Sequence, residues 1–180
     1  MLKGNVLSAL KVFLMIIIYA GGCSSGNTEE YIKDLKSENV MVQNEAIYYL
    51  GTLEEKSAVP ILCEFLNLHK PKEVKLKAIE ALGTIGEKSA VGSLIGILGE
   101  KDSELRIAAI EALGKIEDPK AIPALVNVLE DNGVQLFAIW ALGNIGDKSA
   151  APALTNLLGD PDKYVRYNAA QSLKEIGNGK

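Results

Sequence analysis

The chain has 180 residues, of which 19 are Lys or Arg and 23 are Asp or Glu, so its formal net charge is −4. This acidic balance disfavours nucleic-acid binding, whose affinity comes largely from cationic side chains that neutralise phosphates. Two cysteines and one histidine supply neither a disulfide framework nor a structural zinc site, and the absence of long linkers favours one domain after the N-terminal segment.

Residues 1–22 have the pattern of a secretory signal peptide. Lys3 and Lys11 precede an uncharged, mostly apolar stretch at 12–22 that ends in small residues. This stretch is about half the roughly 20 residues that a membrane-spanning helix needs. Counting back through Lys11 to Asn5 lengthens it, so an uncleaved anchor stays open as an alternative. Removing the segment takes away two lysines and no acid, which moves the formal charge from −4 to −6.

The sequence Ala20-Gly21-Gly22-Cys23 resembles a bacterial lipobox. The resemblance implies that Cys23 is acylated, for example with palmitate, and that residues 23–28 form a polar tether. Several acyl chains on one residue anchor a protein stably, so we expect a lipoprotein on the extracytoplasmic side of a bacterial membrane. Ser24 resembles the signal for export to the outer membrane of a Gram-negative cell. The alternative is that Cys23 is an ordinary residue near a cleavage site.

One sequence motif recurs five times in the rest of the chain. Its anchor leucines are 32, 31, 29 and 31 residues apart, at Leu50, Leu82, Leu113, Leu142 and Leu173. A period of this length predicts a solenoid of stacked supersecondary units. Solenoids usually bind other molecules rather than react with them, so the period predicts architecture and leaves the partner open.

Each period contains two helical patterns, taken here in the third copy. Residues 89–98 predict a first helix, and residues 103–116 predict a second helix with an apolar face. The first helices are predicted to have N-caps at Ser57, Ser89, Ser149 and Asp118. The second helices are predicted to end at Gly86, Gly146 and Gly177. A column of alanines, one per second helix, would let neighbouring helices approach closely, and the charged residues 29–37 predict a short helix at the N-terminal end.

These residues resemble the HEAT repeat, in particular the short bacterial form found in phycobilisome (PBS) lyase subunits. The family motif is matched at Asp102, Arg106, Ala108-Ala109, Ala112-Leu113-Gly114 and Ile145-Gly146-Asp147. The resemblance implies an all-α fold, an α-solenoid or superhelix of about five HEAT-like helix pairs spanning residues 29–177. It also implies a polar ladder between repeats, made by the turn Asp and the second-helix Arg. Asp102–Arg106 and Asp162–Arg166 are spaced for i,i+4 pairs as well.

The second helices of such a stack line its concave side. We call the solvent-facing positions of these helices the concave face. One interpretation is that they are ordinary surface residues; the other is an aromatic-lined groove that binds a partner, since aromatic anchors dominate interface energetics. The candidate binding residues are Tyr48, Glu80, Glu111, Phe137, Trp140, Tyr167 and Gln171.

No arrangement for catalysis is found in the sequence, so no enzyme activity, metal or cofactor is expected. Some HEAT-like proteins are di-iron hydroxylases, but the matching positions on these second helices hold no His. The one histidine, His69, is predicted to be exposed in a loop, and Cys63 to be half-buried. No serine has a histidine nearby in sequence to serve as a base.

The sequence therefore favours a non-enzymatic binding or scaffold protein of the bacterial envelope. A protein or peptide partner would lie on the concave face, and no nucleic acid is expected. The alternative is a PBS-lyase-like subunit that handles a bilin chromophore, against which the export signal argues.

Overall fold

A computed structural model describes residues 25–178, with side chains from 28 to 177. This part of the chain is all-helical, with ten α-helices and five short 3-10 turns. The helices are α1 (Ser25–Asp34), α2 (Val40–Thr52), α3 (Val59–Asn67), α4 (Lys72–Ile85), α5 (Val91–Ile97), α6 (Ser103–Ile116), α7 (Ile122–Asn127), α8 (Gln135–Ile145), α9 (Ala151–Asn156) and α10 (Lys163–Asn178). The predicted signal segment, 1–22, and Cys23 lie outside the described residues.

The helices form five successive pairs, which confirms the predicted α-solenoid. The even-numbered helices, second in each pair, pack extensively against one another from α2 to α10. The odd-numbered helices pack on their own partners and contact one another much less. The second helices therefore form the more extensively packed layer, and their solvent-facing side is the predicted concave face.

Repeated apolar columns form the core between the two layers. Leu50, Leu82, Leu113 and Leu142 have no solvent exposure, and the same holds for the isoleucines three residues before each of them, Ile47, Ile79, Ile110 and Ile139. Fully burying one such side chain stabilises the fold by about 1.5–3 kcal/mol. Each helix pair cannot bury its apolar face alone, so stability depends on stacking.

A glycine of each second helix from α2 to α8 contacts a small residue of the next second helix. A Cβ atom built on Gly83 would lie 2.9 Å from the Cα of Ala112, and one built on Gly51 would lie 3.0 Å from the Cβ of Ala81. Gly143 faces Ser172 in the same way. These separations leave no room for a side chain, so the glycines fix how closely the second helices approach.

The two ends of the stack depart from this pattern. Tyr49 occupies the position of Ala81 and Ala112, and its ring stacks on Tyr31 of α1 with centroids 4.8 Å apart. At the other end, exposed Lys174 replaces the contact glycine. A tyrosine and a lysine at these positions prevent the close helix contact that the internal repeats make.

Helix α1 begins at Ser25, inside the predicted tether, and ends at Asp34 rather than at residue 37. Its charged residues Glu29, Glu30 and Lys33 are exposed as expected. Leu35, just beyond its C-terminus, is fully buried. The helix therefore covers the core of the first repeat with an apolar side and presents a charged side to water.

The predicted serine N-caps are wrong. The four first helices from α3 to α9 each begin with a 3-10 turn. The carboxylates of Glu55 and Asp147 accept hydrogen bonds from the backbone amides of Ser57 (3.1 Å) and Ser149 (2.8 Å). In these two turns the cap is therefore the acidic residue two positions earlier, and Glu87 takes the same position before Ser89 without a side-chain cap hydrogen bond. The predicted cap at Asp118 is confirmed, since its carboxylate accepts from the amide of Lys120 at 3.0 Å.

The left-handed C-caps are confirmed at two of three glycines. Gly86 and Gly146 have φ of 72° and 70°. Gly177 lies within α10 instead, and Glu117 takes the left-handed position after α6 with φ of 53°.

Ion pairs join consecutive repeats, as the family resemblance implied. Arg106 Nη2 lies 2.7 Å from Asp131 Oδ2 in the next turn, and Lys72 Nζ lies 2.8 Å from Asp102 Oδ2. These cations hold the pKa of both aspartates below the usual value. The predicted i,i+4 pairs are absent from the described residues, because Arg106 reaches the next repeat and Arg166 donates to the carbonyls of Asp160 and Pro161.

The Gly83–Ala112 contact generates a stability prediction. Gly83→Ala should lower the free energy of unfolding, because overpacking costs about 1–3 kcal/mol and the gain in helix propensity is about 1 kcal/mol. Gly92→Ala is the matched control, since a Cβ there meets nothing within 4 Å, and it should raise stability by about 0.4–1 kcal/mol. Urea unfolding of the full chain, followed by circular dichroism, measures both; equal stabilisation by the two variants would contradict the close-contact interpretation.

Candidate functional site

The candidate binding residues all lie on second helices, from α2 to α10. Tyr48, Glu80, Glu111, Trp140 and Gln171 occupy one equivalent position, two residues before the anchor leucine of each repeat. They therefore form a row across the concave face, and Phe137 and Tyr167 lie on the same two helices as Trp140 and Gln171. Glu111 is half-buried, and the others are exposed.

The aromatic members of the set are exposed on these helices, as are Met41, Leu136 and Tyr164. Tyr48 is 60% exposed, Tyr167 63%, Trp140 40% and Phe137 37%. Among the described residues, ring contacts link Tyr49 with Tyr31 and Tyr48, whereas Trp140, Phe137 and Tyr167 show no ring stacking. The structure thus provides separate aromatic anchors along the face rather than one aromatic cluster.

Trp140 lies directly over the glycine of the preceding second helix. A Cβ atom built on Gly114 would lie 2.8 Å from Cζ3 of the indole. The ring therefore packs on the backbone of α6 and covers part of the space between α6 and α8. Part of its surface stays accessible to a partner, and its packing holds the indole in place.

An open groove lies one repeat earlier, between α4 and α6, with a volume of about 340 Å³. Leu76 and Ile107, both half-buried, belong to its apolar floor. Its complete lining is Leu76, Glu80, Gly83, Glu104, Ile107, Ala108, Glu111, Ala112 and Lys115. Sequence reasoning singled out Glu80 and Glu111 but missed Glu104, which follows from the helical period as the residue one turn before Ala108.

A smaller groove of about 90 Å³ lies between α2 and α4. Tyr48, Thr52 and Lys77 belong to its lining, together with Glu80, which also lines the larger groove. The two hollows therefore meet at Glu80, and the concave face carries a depression that crosses three second helices.

The carboxylates along this depression differ in their ion pairs. Lys77 Nζ lies 3.2 Å from Glu80 Oε2 on the same helix, and Lys72 Nζ lies 2.6 Å from Glu104 Oε2 across the repeat. Within the described residues, Glu111 takes part in no salt bridge, although it is the least exposed of the three. A half-buried carboxylate on an apolar floor is thus open to a ligand.

The residues that could support catalysis lie elsewhere. Cys63 is half-buried, as predicted, and burial raises the pKa of its thiol, which disfavours the reactive thiolate. His69 is exposed, as predicted, beside a separate hollow of about 480 Å³ that Lys36, Glu64 and Lys70 also line. The described residues include no group of three or more His, Cys, Asp or Glu side chains placed to hold a metal ion.

No helix within residues 25–178 has the length and apolar character required to cross a bilayer.

Comparison with protein families finds two matches. A model of HEAT repeats matches residues 64–133 and 129–180. A model described as PBS lyase HEAT-like repeat matches residues 42–67. No curated protein matches the chain.

Comparison with solved structures finds other helical repeat proteins. The complex of CpcE and CpcF of phycocyanin lyase from Nostoc sp. PCC7120 gives 26% identity and a TM-score of 0.71, over 88% of this chain and 68% of that one. An engineered protein gives 28% identity and a TM-score of 0.62, over 86% of this chain and 81% of that one. A designed armadillo repeat protein in complex with the peptide (KR)4 gives 22% identity and a TM-score of 0.68, over 84% of this chain and 82% of that one. This likeness shows a shared fold and nothing further.

Proposed function

The chain belongs to the HEAT-repeat family, and from this premise we propose that it is a non-enzymatic scaffold that binds a protein or peptide partner on its concave face. The observation that carries the proposal is the row of side chains over the depression between second helices, with Tyr48 at one end of the depression and Trp140 one repeat beyond the other. Large apolar side chains that several helices expose on one face indicate a binding surface, and here they lie on α2, α8 and α10.

The physical support is preorganisation. Trp140 is held by its packing on Gly114 while 40% of its surface is accessible. A fixed aromatic ring loses little conformational entropy when a partner covers it, so more of the contact energy contributes to affinity. Tryptophan and tyrosine are also the residues most enriched among energetic hot spots of interfaces.

A second candidate function is a subunit that handles a bilin chromophore. It is supported by the likeness to the CpcE–CpcF complex and by the PBS lyase HEAT-like match at residues 42–67. Two features favour the scaffold: the export-type segment at 1–22, and the carboxylates of Glu80, Glu104 and Glu111 in the groove, which would repel the propionates of a bilin. A new visible absorption band on mixing protein and bilin would favour the second candidate.

We further propose that Cys23 is acylated and anchors the solenoid on the extracytoplasmic side of the cell envelope, at the outer membrane if the cell is Gram-negative. The support is the sequence Ala20-Gly21-Gly22-Cys23 after an apolar stretch. This segment lies outside the described residues, so the proposal rests on the sequence pattern.

Replacement of the aromatic anchors tests the binding function. The full chain, purified in a non-ionic detergent and immobilised, should retain a partner from an envelope extract. Trp140→Ala and Tyr167→Ala should each weaken that binding by roughly 2 kcal/mol, about thirtyfold, if they are hot spots. Affinity is measured by titrating the captured partner, once purified, against each variant.

Leu158→Ala is the control, because this leucine is exposed but lies in the 3-10 turn at 157–159, outside the second helices and outside the set of candidate binding residues. It should bind as the wild type does. Melting temperatures of all variants separate loss of binding from loss of folding. Partners that bind both aromatic variants at wild-type affinity would rule out the concave face as the binding surface.

Mass spectrometry of the mature N-terminus tests the anchor. Protein isolated from membranes should begin at Cys23 and carry the added mass of a diacylglyceryl group. Cys23→Ala should abolish the added mass, whereas Cys63→Ala, which alters the other cysteine, should leave it intact. An unmodified Cys23 in the mature protein would remove the lipid-anchor proposal without affecting the concave face.

A further inference from the structure

The geometry points to a class of partner: an extended peptide segment whose arginine side chain enters the groove between α4 and α6, with its guanidinium between Glu80 and Glu111. This inference rests on the proposed function and specifies which chemistry the concave face recognises. It is carried by the shape of the groove, by its charges and by the state of the ion pairs around it.

The floor of the groove suits the aliphatic part of an arginine. Leu76 and Ile107 are half-buried and line the hollow between the two helices. Arginine and lysine commonly lay their aliphatic stems along apolar surface while the charged head reaches polar groups. A stem on this floor would cover the two side chains that the repeat stack leaves partly in water.

The walls of the groove suit the charged head. Glu80 and Glu111 occupy equivalent positions on adjacent helices, so one carboxylate stands on each side of the hollow. A guanidinium carries five N–H donors in a planar fork and can donate to two carboxylates at once. Three carboxylates and one ammonium line the groove, which favours a cationic ligand over an anionic one.

The existing ion pairs leave these carboxylates available. Glu111 has no salt bridge within the described residues, and the Glu80–Lys77 pair is exposed on the helix surface. Exposed pairs contribute only about 0–1 kcal/mol, so exchanging Lys77 for a ligand costs little. The aliphatic stem of Lys115 packs near Gly83, because its Cδ would lie 3.6 Å from a Cβ atom built on that glycine. Lys115 therefore lies at the opposite end of the groove from Glu104.

The surroundings favour a peptide over a free small cation. The depression continues past Glu80 to Tyr48, and Trp140 stands one repeat beyond Glu111. Second helices lie about 10 Å apart, and an extended chain covers that distance in about three residues. A segment of about nine residues with arginine near its centre would therefore reach from Tyr48 across the groove to Trp140.

Three synthetic nonapeptides test the inference. They share Leu at the third and seventh positions and Ser elsewhere, and they carry Arg, citrulline or Glu at the fifth. Citrulline keeps the shape of arginine and removes the charge. Fluorescence anisotropy of the labelled peptides, titrated with the full chain in non-ionic detergent, gives the affinities.

The arginine peptide should bind the wild-type chain at least about tenfold more tightly than the citrulline peptide, because a hydrogen bond to a charged group is lost. Glu111→Gln should remove that preference, and Glu80→Gln should reduce it. Glu130→Gln changes the same charge at an exposed residue outside the groove and should leave it unchanged. Raising the salt concentration should weaken binding of the arginine peptide most.

Four results would overturn the inference: no binding of the arginine peptide up to about 1 mM, equal binding of the citrulline peptide, wild-type affinity in Glu111→Gln with its melting temperature preserved, or equally tight binding of free arginine amide. The proposed function fails separately. An envelope partner lost in Trp140→Ala but bound normally by Glu111→Gln would keep the concave face and remove the arginine pocket. A partner unaffected by Trp140→Ala and Tyr167→Ala would remove both.

Discussion

The close contact between a glycine of one second helix and a small residue of the next is the constraint on which the rest of the structure depends. It fixes how closely the second helices approach one another, and so it shapes the layer that carries the concave face. It also makes the backbone near Gly83 and Ala112 part of the groove lining. The same pair of helices, α4 and α6, therefore makes the packing contact and lines the candidate binding groove.

The repeats agree where they are buried and differ where they face solvent on the concave side. Leucine, isoleucine, alanine and glycine recur because each has the same neighbours in every layer. Two residues before each anchor leucine the copies read Tyr, Glu, Glu, Trp and Gln. Packing does not require this variation, so these positions are free to select a partner. The ends of the stack differ for another reason, since Tyr49 and Lys174 occupy positions that internal repeats use for stacking.

The repeat period and the repeated apolar positions predicted the five helix pairs and the bounds of α6, because the same positions of the repeated motif are buried in each layer. The serine caps and the Asp102–Arg106 pair were wrong for a common reason. In each case a partner that sequence spacing does not show is better placed. The carboxylate of Asp147 caps the turn in place of the Ser149 hydroxyl, and Arg106 pairs with Asp131 of the next repeat in place of Asp102. The groove was expected beside the aromatic residues. Trp140 covers Gly114 instead, and the open space lies between α4 and α6, where the equivalent side chains are glutamates.

The most direct measurement of the central claim, that the concave face is the binding surface, is site-specific photo-crosslinking in cells. A photoreactive amino acid at Thr84 or Gln171, both exposed on second helices, should link the chain to the same partner. The same amino acid at Leu158, exposed in the 3-10 turn at 157–159 and outside the set of candidate binding residues, should give no such product. A partner that crosslinks from Leu158 and from neither concave position would contradict the claim.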